Sequence, residues 1–129
     1  MPKVLVIEDN KDNFKLFNYA LQRAAYEVIW AGTGEEGIDL ALKERPLFIL
    51  MDINLPGIDG IETTRRIRES EAIGDIPIIA ITSHAMSGDR ERIIAVGCNG
   101  YIEKPIDPTT IVDRIHKIIG LDTNENPDR

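Results

Sequence analysis

The sequence predicts an α/β fold: a doubly wound sandwich of five βα units, with helices covering both faces of a five-stranded parallel sheet. Three observations carry this reading. Short apolar runs recur along the chain, and several are nearly continuous rather than alternating, the pattern of strands buried on both faces. The segments between them place apolar residues at helical spacing. Cap and turn residues fall at the seams, and right-handed crossovers then lay helices on both sides of the sheet.

Taken in order, Lys3–Ile7 (KVLVI) predicts the first strand, and Phe14, Phe17, Leu21 and Ala24 form one stripe of a helix over residues 11–25. Glu27–Ala31 predicts the second strand. Thr33 and Glu36 have the spacing of a capping box, in which each side chain satisfies a backbone donor of the other, and Ile38, Ala41 and Leu42 give the second helix its stripe. Leu47–Met51 (LFILM) is the third expected strand. Asp59 and Glu62 repeat the cap spacing before a helix at 60–70. Ile76–Ile81 (IPIIAI) predicts the fourth strand, and a helix at 88–96 ends at Gly97; both of these helices are less amphipathic than the others. Asn99–Ile102 predicts the fifth strand. Asp107 reads as an N-cap with Pro108 at the first helical position, opening a helix carried by Ile111, Ile115 and Ile118 with Val112 and Ile119, and closed by Gly120. Residues 1–120 make one domain, and 121–129 (LDTNENPDR) read as a polar, disordered tail.

The chain has 129 residues, 43% apolar and 29% charged, with a net charge of −7. These values suit a folded domain and not a disordered chain. So acidic a surface repels nucleic acid and anionic lipid, and suits a cation or a basic partner. No apolar run is long enough to span a bilayer, nothing after Met1 resembles a signal peptide, and the lone Cys98 has no internal partner; a cytoplasmic protein is expected.

In open α/β sheets, function gathers at the carboxyl ends of the strands. The first strand ends in Glu8-Asp9, the third in Asp52, the fourth in Thr82-Ser83 and the fifth in Glu103-Lys104-Pro105; the second ends in Ala31-Gly32, with nothing reactive. Three converging carboxylates repel one another unless a positive charge sits among them. Hard oxygen ligands suit Mg²⁺, which keeps waters and takes a phosphate oxygen beside the protein. Lys104 adds a second positive charge. Metal, amine and hydroxyl around a carboxylate make a phosphoryl-transfer site in which that carboxylate is the nucleophile.

The segments VLVIEDN (4–10), ILMDINLPGIDG (49–60), IIAITSHAM (78–86) and YIEKPID (101–107) resemble the response-regulator receiver domain of two-component signalling, of the stand-alone, DivK-like kind. The likeness spans about residues 3–119. It implies a flavodoxin-like strand order of 2-1-3-4-5 and a phosphoacceptor switch that catalyses its own phosphorylation and dephosphorylation and is not a conventional enzyme. It implies Asp52 as the acceptor, Mg²⁺ held by Glu8, Asp9 and Asp52 with the backbone carbonyl of Asn54, and Thr82 and Lys104 on the phosphoryl oxygens. Thr82 and Tyr101 would form the switch, Asn54 and His84 would tune the phosphate lifetime, and the Lys104–Pro105 bond would be cis. The implied partners are a sensor histidine kinase or histidine phosphotransfer protein as donor and a downstream protein target, with no nucleic acid and no membrane insertion; the chain would be a monomer or a phosphorylation-dependent dimer. No attached output domain is expected after the last helix.

Some positions depart from the commonest pattern. Glu8 stands where aspartate is frequent, Leu47 follows Arg45-Pro46 where aspartate is frequent, and Ser83 replaces a common alanine. Outside the site, His116 reads as solvated or partly packed, Cys98 as a buried thiol, Trp30 as packing, and Arg65, Arg66 and Arg68 as a solvated helix face. Rival functions fit less well. A phosphohydrolase wants a second aspartate two residues after the nucleophile, where Asn54 stands. A flavin carrier wants a Ser/Thr/Gly-rich first loop in place of EDNKDN, and a GTPase wants a G-x-x-x-x-G-K-[ST] loop.

Overall fold

The computed structural model describes residues 1–83, 85 and 88–121. Strands and helices alternate throughout: β1 Lys3–Ile7, α1 Lys11–Arg23, β2 Glu27–Ala31, α2 Gly34–Glu44, β3 Ile49–Asp52, α3 Gly60–Arg68, β4 Ile78–Thr82, α4 Asp89–Val96, β5 Gly100–Glu103 and α5 Ile111–Ile119. All strand pairs are parallel, in the order β2-β1-β3-β4-β5. The expected fold and strand order are therefore both present. No described helix is long and apolar enough to cross a membrane.

Continuous apolar strands explain the two cores. Along β1, Val4 and Val6 point to one face, against Phe17 and Leu21 of α1 and Ile111 and Ile115 of α5. Leu5 and Ile7 point to the other, the side of Ala41 of α2, Ile67 of α3 and Ile93 of α4. Both faces of the central strands are covered, so β1, β3 and β4 are apolar almost throughout and do not alternate.

The element ends differ from the sequence reading where a backbone donor decides. β4 begins at Ile78 because Pro77 has no N–H to give the ladder, and the Ile78 N–H goes to Asn99 Oδ1 at 2.9 Å. β3 begins at Ile49, leaving Leu47 exposed. Asp107 organises a turn instead of the helix itself. Its carboxylate accepts from the Thr109 N–H at 2.9 Å and hydroxyl at 2.6 Å, and α5 starts only at Ile111. The capping box is also displaced: Thr33 accepts from the Glu36 N–H, but Glu36 Oε1 reaches Gly32 N–H at 2.6 Å.

The inner face of α2 is Gly34, Gly37 and Ala41, and Leu42 faces solvent. A side chain at Gly37 would collide with Ile7, so glycine lets the helix sit against β1. α3 buries Thr63, Thr64 and Ile67; threonines on its inner face hid its amphipathicity. α4 buries only Ile93 and has no side-chain N-cap bond. Among the arginines of α3, Arg65 and Arg66 do lie on a solvated face, paired with Glu62 and Glu69. Arg68 does not. Its guanidinium donates to the carbonyls of Gly97, Gly74 and Ile76 and to Asn99 Oδ1, tying α3 to the β4 and β5 entries.

Candidate functional site

Three of the four strand pairings run one residue past their strands and so fix a site residue or its neighbour. The Glu8 N–H donates to the Ala31 carbonyl, Ile53 N–H to Ile81 carbonyl, and Lys104 N–H to Thr82 carbonyl, at 3.0, 3.1 and 2.8 Å. The sheet thus sets out Glu8, Asp52, Thr82 and Lys104 along one edge. α3 closes in behind β3. Gly60 donates to the Ile53 carbonyl, and a Cβ there would strike the Asp52 backbone, so glycine lets the helix start beside the acceptor strand.

Carboxylate oxygens of Glu8, Asp9 and Asp52 all lie within 4.8 Å of one another. Glu8 and Asp52 are buried, at 1% and 2% exposure, while Asp9 is open to solvent. Asp52 Oδ1 accepts from the Asn54 N–H at 3.0 Å and from Lys104 Nζ at 3.3 Å. Glu8 Oε2 accepts from the Asn10 N–H at 3.1 Å, and Asn10 in turn caps α1 by accepting from Asn13. Glu8 Oε1 is buried with no hydrogen-bond partner.

Burial first, and then the neighbouring Asp52, push the Glu8 carboxyl up to about 7, against the opposing pull of the Asn10 N–H and the Lys104 charge. While both carboxyls are ionised, neither can donate to the other, so Oε1 stays orphaned. A proton or a cation between them supplies what is missing. A small divalent cation fits this set: three carboxylates, oxygen donors only, one of them open to water.

Thr82 is fully buried at the end of β4, one position beyond the pair of Asp52 and Ile81. Its hydroxyl lies 3.5 Å from Asp89 Oδ2, at the first turn of α4. Ser83 is exposed. Tyr101, paired with Ala80, is half-buried and packs on the core between the sheet and α2, α3 and α4. The Lys104–Pro105 bond is cis, as expected. His84 and the tail from residue 122 onward lie outside the described residues.

Two side chains read from the sequence as incidental do more. Trp30 donates its indole N–H to the Glu8 carbonyl at 2.7 Å and stacks on Phe14. Its available signal was a hydrogen-bond donor one residue before a strand end. His116 is held with Nε2 2.6 Å from the Tyr26 hydroxyl, and burial pulls its pKa below the ordinary value. Cys98 is the buried thiol expected, 3.8 Å from the Thr64 hydroxyl.

Comparison with known proteins places this arrangement. The family model for the response regulator receiver domain matches residues 4–116. The polar-differentiation response regulator DivK of Brucella anthropi is 43% identical over 121 residues, covering 93% of this chain and 98% of that protein. Its counterpart from Brucella ovis is 42% identical over 117 residues, covering 91% and 95%. Among solved structures, the receiver domain of sensor histidine kinase PA1611 from Pseudomonas aeruginosa PAO1, with a magnesium ion coordinated in its active-site cleft, is 34% identical with a TM-score of 0.84, over 92% of this chain and 98% of that one. A putative response regulator from Chloroflexus aurantiacus reaches 0.86 at 28% identity over the same shares.

Proposed function

The chain belongs to the response regulator receiver domain family, and from that premise we propose that Asp52 is its phosphoacceptor and that partner binding is its output. The observation that carries this is the buried Asp52 carboxylate, ringed by Glu8, Asp9 and the Lys104 ammonium. The protein is a signalling switch and not a conventional enzyme.

An Asp52 oxygen attacks the phosphorus of a phosphohistidine. The new P–O bond forms as the P–N bond breaks, and the imidazole leaves with the electron pair. Glu8, Asp9 and Asp52, with the Asn54 carbonyl, would hold Mg²⁺, which when bound offsets their charge and that of the phosphoryl oxygens. Lys104 pairs with a phosphoryl oxygen, and the Thr82 hydroxyl turns from Asp89 to another. Tyr101 then follows into the space that Thr82 leaves. Asn54, exposed beside Asp52, and His84 govern access of water to the acyl phosphate.

The donor is a sensor histidine kinase or a histidine phosphotransfer protein, and the target is a downstream protein that prefers the altered surface of α4, β5 and α5. The acidic balance argues against nucleic acid as target. The reading is tested by incubation with acetyl phosphate and Mg²⁺, which should add one phosphoryl group by mass. Asp52→Asn should abolish the adduct, and undiminished labelling of that variant would overturn the assignment.

A further inference from the structure

We propose that Trp30 is a positioning residue for the acidic pocket, fixing the peptide from which the Glu8 and Asp9 side chains depart. The inference rests on the metal-holding role given above to that pair. Both backbone polar groups of Glu8 are tied to the end of β2: its N–H to the Ala31 carbonyl, and its carbonyl to the Trp30 indole N–H at 2.7 Å. The second bond is short for an N–H donor. The Glu8 carbonyl belongs to the planar unit that also contains the Asp9 nitrogen, so holding it sets the direction in which both carboxylates leave the turn.

Trp30 is itself held. Its ring stacks on Phe14 of α1 with centroids 4.3 Å apart and planes 6° from parallel. α1 is capped by Asn10, whose N–H also bonds Glu8 Oε2. Ring stack, strand end and helix cap therefore close a loop around the acidic turn. Packing alone does not account for the arrangement: the side chain is 39% exposed, and its single polar atom is aimed at the pocket's backbone.

The test is Mg²⁺ binding by isothermal titration calorimetry on the wild type and Trp30→Phe, which keeps a ring for Phe14 and removes the donor. Mg²⁺ affinity should fall about tenfold in the variant, the lower end of the loss expected where a partner that orients a metal ligand is removed. Melting in the absence of Mg²⁺ is recorded alongside, since a merely structural role would lower stability and leave affinity intact. As a measurement needing no variant, emission of Trp30, the sole tryptophan, should change as Mg²⁺ saturates the wild type. Equal affinities in the two proteins, or a wild-type emission blind to saturating Mg²⁺, would overturn the positioning role alone. A wild type that binds no Mg²⁺ would overturn the metal site and the positioning role with it.

Discussion

Lys104 Nζ reaches from the end of β5, past β4, to within 3.3 Å of Asp52 Oδ1. Asp52 is almost wholly buried and Lys104 largely so, which makes this a shielded pair and not a surface ion pair. A phosphoryl group arriving on Asp52 brings negative charge to the spot the ammonium already occupies. Lys104→Gln should therefore slow phosphorylation by acetyl phosphate by at least about tenfold, the scale on which fixed charge at a reacting centre acts. Labelling followed by mass spectrometry measures it; an unchanged rate would remove Lys104 from the site.

The acidic pocket predicts a response to metal. Mg²⁺ at about a hundredfold excess over its dissociation constant should stabilise the fold by about 2.7 kcal/mol, several degrees in melting temperature. Asp9→Asn should shrink that shift more than Glu8→Gln, since the short Asp9 side chain is open to a hydrated ion and Glu8 lies deep. Glu8→Gln should instead raise the metal-free melting temperature, because it removes a buried charge and lets the orphaned Oε1 position be an amide. Identical melting with and without Mg²⁺ would speak against a metal site.

How much of this was legible depends on where the signal lay. Residues at strand ends were readable because apolar runs fix the strands and the runs end in the chemistry: Asp52 after LFILM, Lys104 after YIE. Contacts made across the sheet were not. Nothing near Arg68 announces that it will reach Gly97 and Asn99, about thirty positions away in sequence, and Trp30 and Glu8 are joined only by strand pairing. The α2 face was misassigned at Leu42 because the helix uses glycines to approach β1, and a hydropathy stripe does not register an absent side chain.

Arg68 yields a stability prediction. Arg68→Ala leaves the carbonyls of Gly97, Gly74 and Ile76 without this donor, while Asn99 Oδ1 keeps the Ile78 N–H, and should cost about 3 kcal/mol at roughly 1 kcal/mol per carbonyl bond. Arg68→Lys should recover only part, since an ammonium lacks the planar fork that spans these acceptors. Chemical denaturation measures both. Asp52 labelling should persist, because Arg68 works at the opposite ends of the strands.

His116 gives the pH dependence. Burial depresses its pKa below the ordinary value, opposed by Asp113, while the Tyr26 hydroxyl meets its Nε2. A depressed folded pKa means the stabilisation is full above about pH 6.5 and is lost as the pH falls through the folded value. Protonation of Glu8 stabilises the fold over the same interval, so the test is made on a Glu8→Gln background, where the metal-free protein should lose melting temperature as the pH falls. His116→Gln, which cannot take up the proton, should show a flatter profile, and parallel profiles would exclude His116 as the source.

The last prediction concerns the route from Asp52 to the surface. Phosphorylation adds negative charge and acceptor oxygens at the end of β3, and the Thr82 hydroxyl ends the neighbouring strand. In the unphosphorylated chain that hydroxyl lies against Asp89, in the first turn of a helix that buries only Ile93. Turning to the phosphoryl group takes Thr82 away from Asp89 and opens space behind β4, where Tyr101 already packs half-buried on the same core. One rotation thus acts twice: it loosens the start of α4 and admits the Tyr101 ring. Thr82→Ala should still accept phosphate on Asp52, yet show little change in Tyr101 ring signals by NMR on phosphorylation, where the wild type shows a clear shift. Amide exchange in α4 should rise on phosphorylation in the wild type only, because the variant lacks the contact with Asp89 from the outset. Equal Tyr101 shifts in the two proteins would break the proposed coupling and leave Asp52 as acceptor untouched.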